Sequence, residues 1–594
     1  MMAASLFALG LAACSGNSPS SAGNTGTVTF AEQPGANPYY IFPMATGSNL
    51  LTVNVQQFQY LMYRPLYWFG DNGQPVYNGA LSLADAPVYS QNNTVVTITM
   101  KGWKWSDGSV VGARSLDLWM NLLEQEKANF GAYVPGTFPD NVKSYKVVSP
   151  LVFQMTLTKP VSSQWFTYNQ LSELTPLPLA WDRTSGNGPT GKADLTPSGA
   201  KAVYKFLIGQ AAHEAGYASN PLWQIVDGPW KLKAFQTTGY VALVPNKSYS
   251  GAVKPKIKEF IEEPFTSQEA ELNAVLSGSI DYGYLPFTDL PSGKATTYHG
   301  YNIDRWTSWA YTYAEYDYNN PTAGPIFAQT YIRQAMQYLV PQAAFISSVF
   351  HGYANAETGV VPLEPPSPYI SSLEKSNAYP DDPAKSESLL KSHGWQVVPG
   401  GTSTCVHPGT AAGDCGPGIA SGAKLSFSLM YASGVPALSQ EMQTIKTAFS
   451  KSDGISLSLT SGPVNTLVGD SLVCAGTHKL SSKCAWQMFY AGAPSWYYEP
   501  DFYPTGDENF ATDAAYNGQG YSNPTADGLI AATEAPGGGL SAMIKYENYM
   551  VNNDPQLLMP TPPYQVSLIR PDLKGALPQD PLLNLNPETL SYAK

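Results

Sequence analysis

The sequence predicts a mixed α/β (α+β) chain divided into several domains. Three observations carry this. The 594 residues allow two to four domains at about 150 residues each. Apolar residues alternate with period two at Thr94–Met100 (TVVTITM) and Leu151–Leu157 (LVFQMTL), the pattern of half-buried strands. Helical stripes fall irregularly between such strands, and no internal repeat is visible, which points to α+β or mixed α/β packing.

The first fourteen residues close an apolar run, Ala3–Leu11, on Ala12-Ala13-Cys14. The run is too short for a membrane span, which takes about 20 residues, and reads as a secretory signal. LAAC resembles the lipobox of bacterial lipoproteins, so Cys14 is expected to become a lipidated N-terminus. No Lys or Arg follows Met1 and Met2, so the true start is expected upstream. Residues 15–26 read as a polar tether. Ordered structure is expected from Thr27-Val28-Thr29-Phe30, a short strand.

Further elements follow. Thr266-Ser267-Gln268-Glu269 reads as a capping box with Thr266 as cap, ahead of Leu272, Val275 and Leu276. Gly278 then ends that helix. Ile332, Ala335, Met336 and Leu339 recur at helical spacing, with Pro341 as breaker. Asp382-Pro383 starts another helix with Pro in its first turn, and Leu438, Met442, Ile445 and Phe449 line one more helical face.

Setting Cys14 aside, Cys405, Cys415, Cys474 and Cys484 form two sequence-local pairs, each enclosing nine residues. An even set of extracytoplasmic Cys reads as disulfides. Zinc is the rival, because His407 and His478 lie inside the loops, although zinc knuckles use tighter Cys spacing.

The net charge of −12 argues against nucleic acid. Aromatic residues make up 12% of the chain, with 38 Tyr and 13 Trp, and such side chains suit ligand contact. Catalytic patterns are weak. No G-x-S-x-G elbow occurs, and the six His sit singly. Gly537-Gly538-Gly539 lacks the Lys of a P-loop. The acidic run Glu499, Asp501, Asp507 and Glu508 leaves a glycoside hydrolase with paired carboxylates as an alternative. No cofactor or metal is expected.

Seven blocks in order carry a resemblance: residues 63–80 (YRPLYWFGDNGQPVYNGA), 94–108 (TVVTITMKGWKWSDG), 228–250 (GPWKLKAFQTTGYVALVPNKSYS), 266–290, 331–340 (YIRQAMQYLV), 380–395 (PDDPAKSESLLKSHGW) and 521–530 (YSNPTADGLI). Over residues 27–594 the chain resembles the bacterial extracellular solute-binding proteins, family 5, the oligopeptide- and dipeptide-binding lipoproteins of ABC transporters. The resemblance implies a two-lobed clamp of the periplasmic-binding-protein type. One lobe would combine 27–72, 223–308 and 563–594, a subdomain would be inserted at 73–222, and 309–562 would form the other lobe. It also implies capture of a peptide between the lobes, delivery to permease subunits, a monomeric protein at the outer face of the membrane, and no enzymatic activity. An oligosaccharide is the alternative ligand.

Peptide-binding relatives carry an Asp shortly after a Trp in the second lobe, where it pairs with the ligand's α-amino group. Here Phe489 takes that place after Trp486. Either Glu499 or Asp501 substitutes, or the ligand is not a free peptide. Tyr39, Trp309, Tyr311, Trp486, Phe489, Tyr490 and Trp496 are the expected ligand contacts. Strand alternation places Trp309, Tyr311 and Tyr313 on one face.

Overall fold

The structure is a computed structural model that describes residues 26–291, 295–474, 479–499, 502–514 and 516–593. The expected signal segment with Cys14, and also His478 and Asp501, lie outside the described residues.

Two large sheets organise the chain. The first has eight strands, in the order Thr297–Tyr298, Tyr301–Trp306, Gln565–Ile569, Tyr282–Tyr284, Thr27–Ala31, Glu259–Glu263, Val241–Pro245 and Trp230–Phe235. Thr27–Ala31 runs parallel to Glu259–Glu263 and Tyr282–Tyr284, and the remaining pairings are antiparallel. The second sheet orders Ser456–Gly462, Ser426–Ala432, Met488–Tyr490, Ala310–Tyr316 and Trp496–Tyr497, with Leu557–Met559 also paired to Ala310–Tyr316. Its first three strands are parallel.

The chain leaves the first sheet after Trp306 and returns to it after Met559, so two short crossovers join the lobes. They are bonded to each other: Tyr564 N donates to the Trp306 carbonyl at 2.8 Å. Between Asn78 and Trp230 lies an inserted subdomain. It holds an antiparallel sheet, Val88–Ser90, Val95–Thr99, Val152–Leu157 and Val142–Ser149, with helices Ala113–Glu126 and Pro197–Ala211.

Local chemistry explains most element ends. The hairpin Trp68–Asp71/Gln74–Asn78 turns through Asn72 and Gly73, both at positive φ (49° and 74°), a conformation that Asn and Gly tolerate best. The alternating runs form Val95–Thr99 and Val152–Leu157. Asp382 caps Pro383–Ser392, its side chain accepting from Lys385 N at 3.0 Å. Leu438, Met442, Ile445 and Phe449 are buried along Pro436–Asp453.

One cap differs from expectation. Helix Gln268–Leu276 is capped by Ser267, whose Oγ accepts from Ala270 N at 3.2 Å, and not by Thr266. Ser267 has the extended backbone that a cap needs (φ −152°, ψ 157°), so the helix starts one residue later than the Thr-x-x-Glu spacing suggests. The Ile332 stripe sits on Thr330–Gln337, which ends before Pro341; that proline instead caps the next helix, Gln342–Ser348.

Cys405–Cys415 and Cys474–Cys484 stand at disulfide-bonding distance. In Cys474–Cys484 both sulfurs lie near Asp317, but they bond to each other, which leaves Asp317 as the one free ligand group of that cluster among the described residues. Removing the first bridge as Cys405→Ser/Cys415→Ser is expected to cost about 2–3 kcal/mol, from the loop entropy of a short closure, read as a lower urea midpoint.

Candidate functional site

Two cavities open between the lobes. One, of about 430 Å³, lies beyond the carboxyl ends of Thr27–Ala31, Tyr282–Tyr284 and Ser426–Ala432, where Gln33, Tyr284 and Phe287 face Gly434–Ala437. Such crevices at strand ends are the usual ligand places of open parallel sheets. The other, of about 350 Å³, is walled by three parts of the chain. Leu50–Tyr60 comes from the first lobe, Phe130, Ala132 and Glu173 from the subdomain, and Ser495–Glu499, Glu508 and Tyr516 from the second lobe. This second cavity combines aromatic walls with acids and is the candidate site.

Its first-lobe wall is an irregular helix. Residues Val55–Gln59 form a π-turn between Thr52–Asn54 and Tyr60–Met62. The arrangement brings Thr52, Gln56 and Tyr60 to the cavity, and π-bulges of this kind are frequent at functional sites. Thr52 Oγ1 donates to Glu499 Oε1 at 3.4 Å and so joins the two lobes across the cavity. Trp496 packs edge-on to Tyr516, ring centroids 5.8 Å apart.

The electrostatics are one-sided. Glu173, Glu499 and Glu508 line the cavity, and no Lys, Arg or His is among its lining residues. Burial pushes the Glu499 carboxyl up to about 8; the Thr52 hydrogen bond works against the rise and Asp580 adds to it. Glu173 is held well above the ordinary carboxylate range, by burial first and by Glu508 second. Glu173 Oε2 has no hydrogen-bond partner among the described residues, and neither has Gln56 Oε1, on a side chain only 4% exposed.

Of the seven aromatics expected at the ligand, Trp496 lines this cavity. Tyr39 is half-buried and its hydroxyl donates to the Ser48 carbonyl at 2.6 Å. Trp309 and Tyr311 share a face with Tyr313, as alternation requires, but that face packs on Tyr498: the Trp309 and Tyr311 rings each lie 6.1 Å from it. Trp486 and Phe489 pack with Leu467 beside Cys474–Cys484. The Tyr490 hydroxyl donates to Glu441 Oε2 at 3.3 Å inside the second lobe. In the acidic run, Asp507 is engaged by Trp165 Nε1 at 2.7 Å, while Glu499 and Glu508 reach the cavity. Gln56, Tyr60 and Glu173 were not marked by any sequence pattern.

A two-lobed clamp with a cavity between its lobes is the architecture of a solute-binding protein. Residues 80–509 match the bacterial extracellular solute-binding proteins, family 5 (middle), and the chain belongs to that family. It is 25% identical over 191 residues to a Brucella ovis protein named for ABC-transporter peptide binding, covering 32% of this chain and 33% of that one. It is 24% identical over 324 residues to the glutathione-binding protein GsiB of Salmonella paratyphi A, 54% of each chain. The chain thus spans about a third to a half of the length of the curated relatives it matches. Among solved structures it is similar to the substrate-binding protein CtaP of Listeria monocytogenes (TM-score 0.67, 17% identity, 96% of this chain and 99% of that one). It is also similar to the oligopeptide-binding protein AppA of Bacillus subtilis in complex with a nonapeptide (TM-score 0.63, 17% identity, 96% and 99%). These likenesses establish the fold. No helix among the described residues is long and apolar enough to cross a membrane.

Proposed function

We propose that this protein captures a peptide in the cavity between its lobes and delivers it to the permease subunits of an ABC importer. The observation that carries the reading is the 350 Å³ cavity walled by both lobes and the subdomain. A receptor of this kind needs different affinities in its open and closed states and no reactive group, so no enzymatic activity is proposed. The wall between residues 52 and 499 would form on closure, with the paired crossovers as hinges. The lobe boundaries proposed are 27–72, 223–308 and 563–594 against 309–562, with 73–222 inserted. Lipidation at Cys14 would hold the monomer at the outer face of the membrane.

Thermal-shift measurements on residues 27–594 test this. A ligand present at a hundred times its dissociation constant stabilises the folded state by about 2.7 kcal/mol. Short peptides are expected to raise Tm. A rise with oligosaccharides alone would replace peptide by sugar as the ligand, and silence with both would remove the capture reading.

A further inference from the structure

We propose that Asp317, Cys474 and Cys484 form a binding site for a thiophilic divalent cation of the zinc class once the bridge between the two cysteines is reduced. The inference is independent of the capture reading.

Spacing comes first. Asp317 follows the strand Ala310–Tyr316, and Cys474 lies 157 positions further on. One Asp317 oxygen and both sulfurs lie within 4.8 Å of one another. A zinc ion sits about 2.3 Å from sulfur and about 2.0–2.2 Å from a carboxylate oxygen, so its tetrahedral ligands stand about 3.6 Å apart. Asp317 Oδ2 is 3.7 Å from Cys474 Sγ, already at that spacing. The contact itself favours a cation. All three side chains are 0% exposed. A disulfide sulfur carries no proton, so while the bridge is closed Cys474 offers that oxygen no hydrogen bond. A cation held by sulfur and oxygen together satisfies both.

The frame is preset. Asp317 N donates to the Gln487 carbonyl at 2.9 Å, and Asn319 N donates to Asp317 Oδ1 at 2.9 Å. Asn320 Nδ2 donates to the Cys484 carbonyl at 3.0 Å and the Trp486 carbonyl at 2.8 Å. Supporting bonds of this kind orient metal ligands. None of them involves a sulfur, so all survive the opening of the bridge. Two thiolates and one carboxylate suit zinc, whereas calcium and magnesium take oxygen ligands. Three protein ligands leave a tetrahedral ion one further position. Trp486 and Phe489 pack in the same apolar cluster as the cysteines, so the ion adjoins the segment that the family resemblance places at the ligand.

The chemistry balances. A dithiol attacks one sulfur, the S–S bond breaks, and the reductant closes its own disulfide as two electrons and two protons reach the cysteines. The cation then displaces both thiol protons to solvent. In oxidising surroundings the bridge stays closed and the site is absent.

The test uses the full chain carrying Cys14→Ser and Cys405→Ser/Cys415→Ser, so that only Cys474 and Cys484 supply thiols. It is reduced with dithiothreitol, desalted under argon and titrated with Co²⁺. The expected result is one bound equivalent showing sulfur-to-cobalt charge transfer and the visible bands of tetrahedral cobalt, with neither in the oxidised protein. Zn²⁺ is then expected to bleach the bands and to raise the Tm of the reduced chain. Asp317→Asn should weaken cobalt binding about tenfold or more, since losing even a group behind a ligand costs about 10–100-fold. Cys474→Ser should remove the tetrahedral bands and the rise in Tm. No charge-transfer band in the reduced protein, with Tm unmoved by Zn²⁺, would overturn the inference. Equal bands in the oxidised protein, or undiminished binding in either variant, would do the same.

Discussion

Replacing Glu262 with Gln is expected to make the folded protein more stable than the parent at pH 8, by about 1.36 kcal/mol for every pKa unit the substitution relieves, and to change little at pH 4.5. Glu32 follows strand Thr27–Ala31 and Glu262 lies in its parallel neighbour Glu259–Glu263; they are 1% and 0% exposed. Their carboxyls lie at hydrogen-bonding reach of each other, a bond that requires one of them protonated. Glu262 receives no hydrogen bond from any other donor among the described residues. Burial pushes Glu32 up to about 8 from an ordinary 4.5, with Glu271 adding to the rise, and Glu262 is raised well above its ordinary value by burial and then by Glu32. The sign follows. The folded state keeps protons that the unfolded chain releases above pH 4.5, so this pair's contribution is full below 4.5 and is lost as pH rises toward 8. A Gln at 262 supplies a permanent N–H donor to Glu32 and removes one titration. Urea unfolding of parent and variant at pH 4.5, 6 and 8 reads the effect as two curves that diverge with pH. Parallel curves would mean that water reaches the pair and no proton is retained.

The local elements were legible because their causes are local. Asp382-Pro383 carries its own cap and fixed first turn. The Leu438 to Phe449 stripe states which face it buries. The one-residue error at Thr266 arose because Thr266 and Ser267 are both capping side chains, and only the backbone path decides between them. The site was less legible. Trp309 and Trp496 look alike in sequence, yet one packs under Tyr498 and the other faces a cavity, a distinction made by the pairing of distant strands. Gln56 and Glu173 sit on a π-turn and a short 3-10 turn, Val55–Gln59 and Leu171–Glu173, which have no 3.6-residue period to detect. Glu499 is one of two acids that can stand in for the displaced carboxylate, and its hydrogen-bond partner across the cavity, Thr52, lies 447 positions away.

Arg64→Met is expected to cost about 3–5 kcal/mol, the usual loss when one partner of a buried ion pair is removed. The Arg64 guanidinium pairs with Glu588, with side chains 0% and 1% exposed, and lies 4.1 Å above the Trp68 ring. The bond ties the segment after the first helix turns to the end of the chain, 524 positions on. Removing the arginine leaves the Glu588 carboxylate buried without its cation, and that penalty, more than the lost attraction, makes the loss large. The double variant Arg64→Met/Glu588→Met removes both charges and is therefore expected to recover at least half of the loss, since apolar residues often replace a buried pair at little cost. Glu588 also borders a cavity of about 490 Å³ between the first lobe and the start of the subdomain, which offers a second fate for the orphaned carboxylate. If water there solvates it, the single variant loses under 1 kcal/mol and the double variant recovers nothing. Urea midpoints of the parent, both single variants and the double variant separate these outcomes, because only a pair held out of water gives a large coupling energy in the cycle.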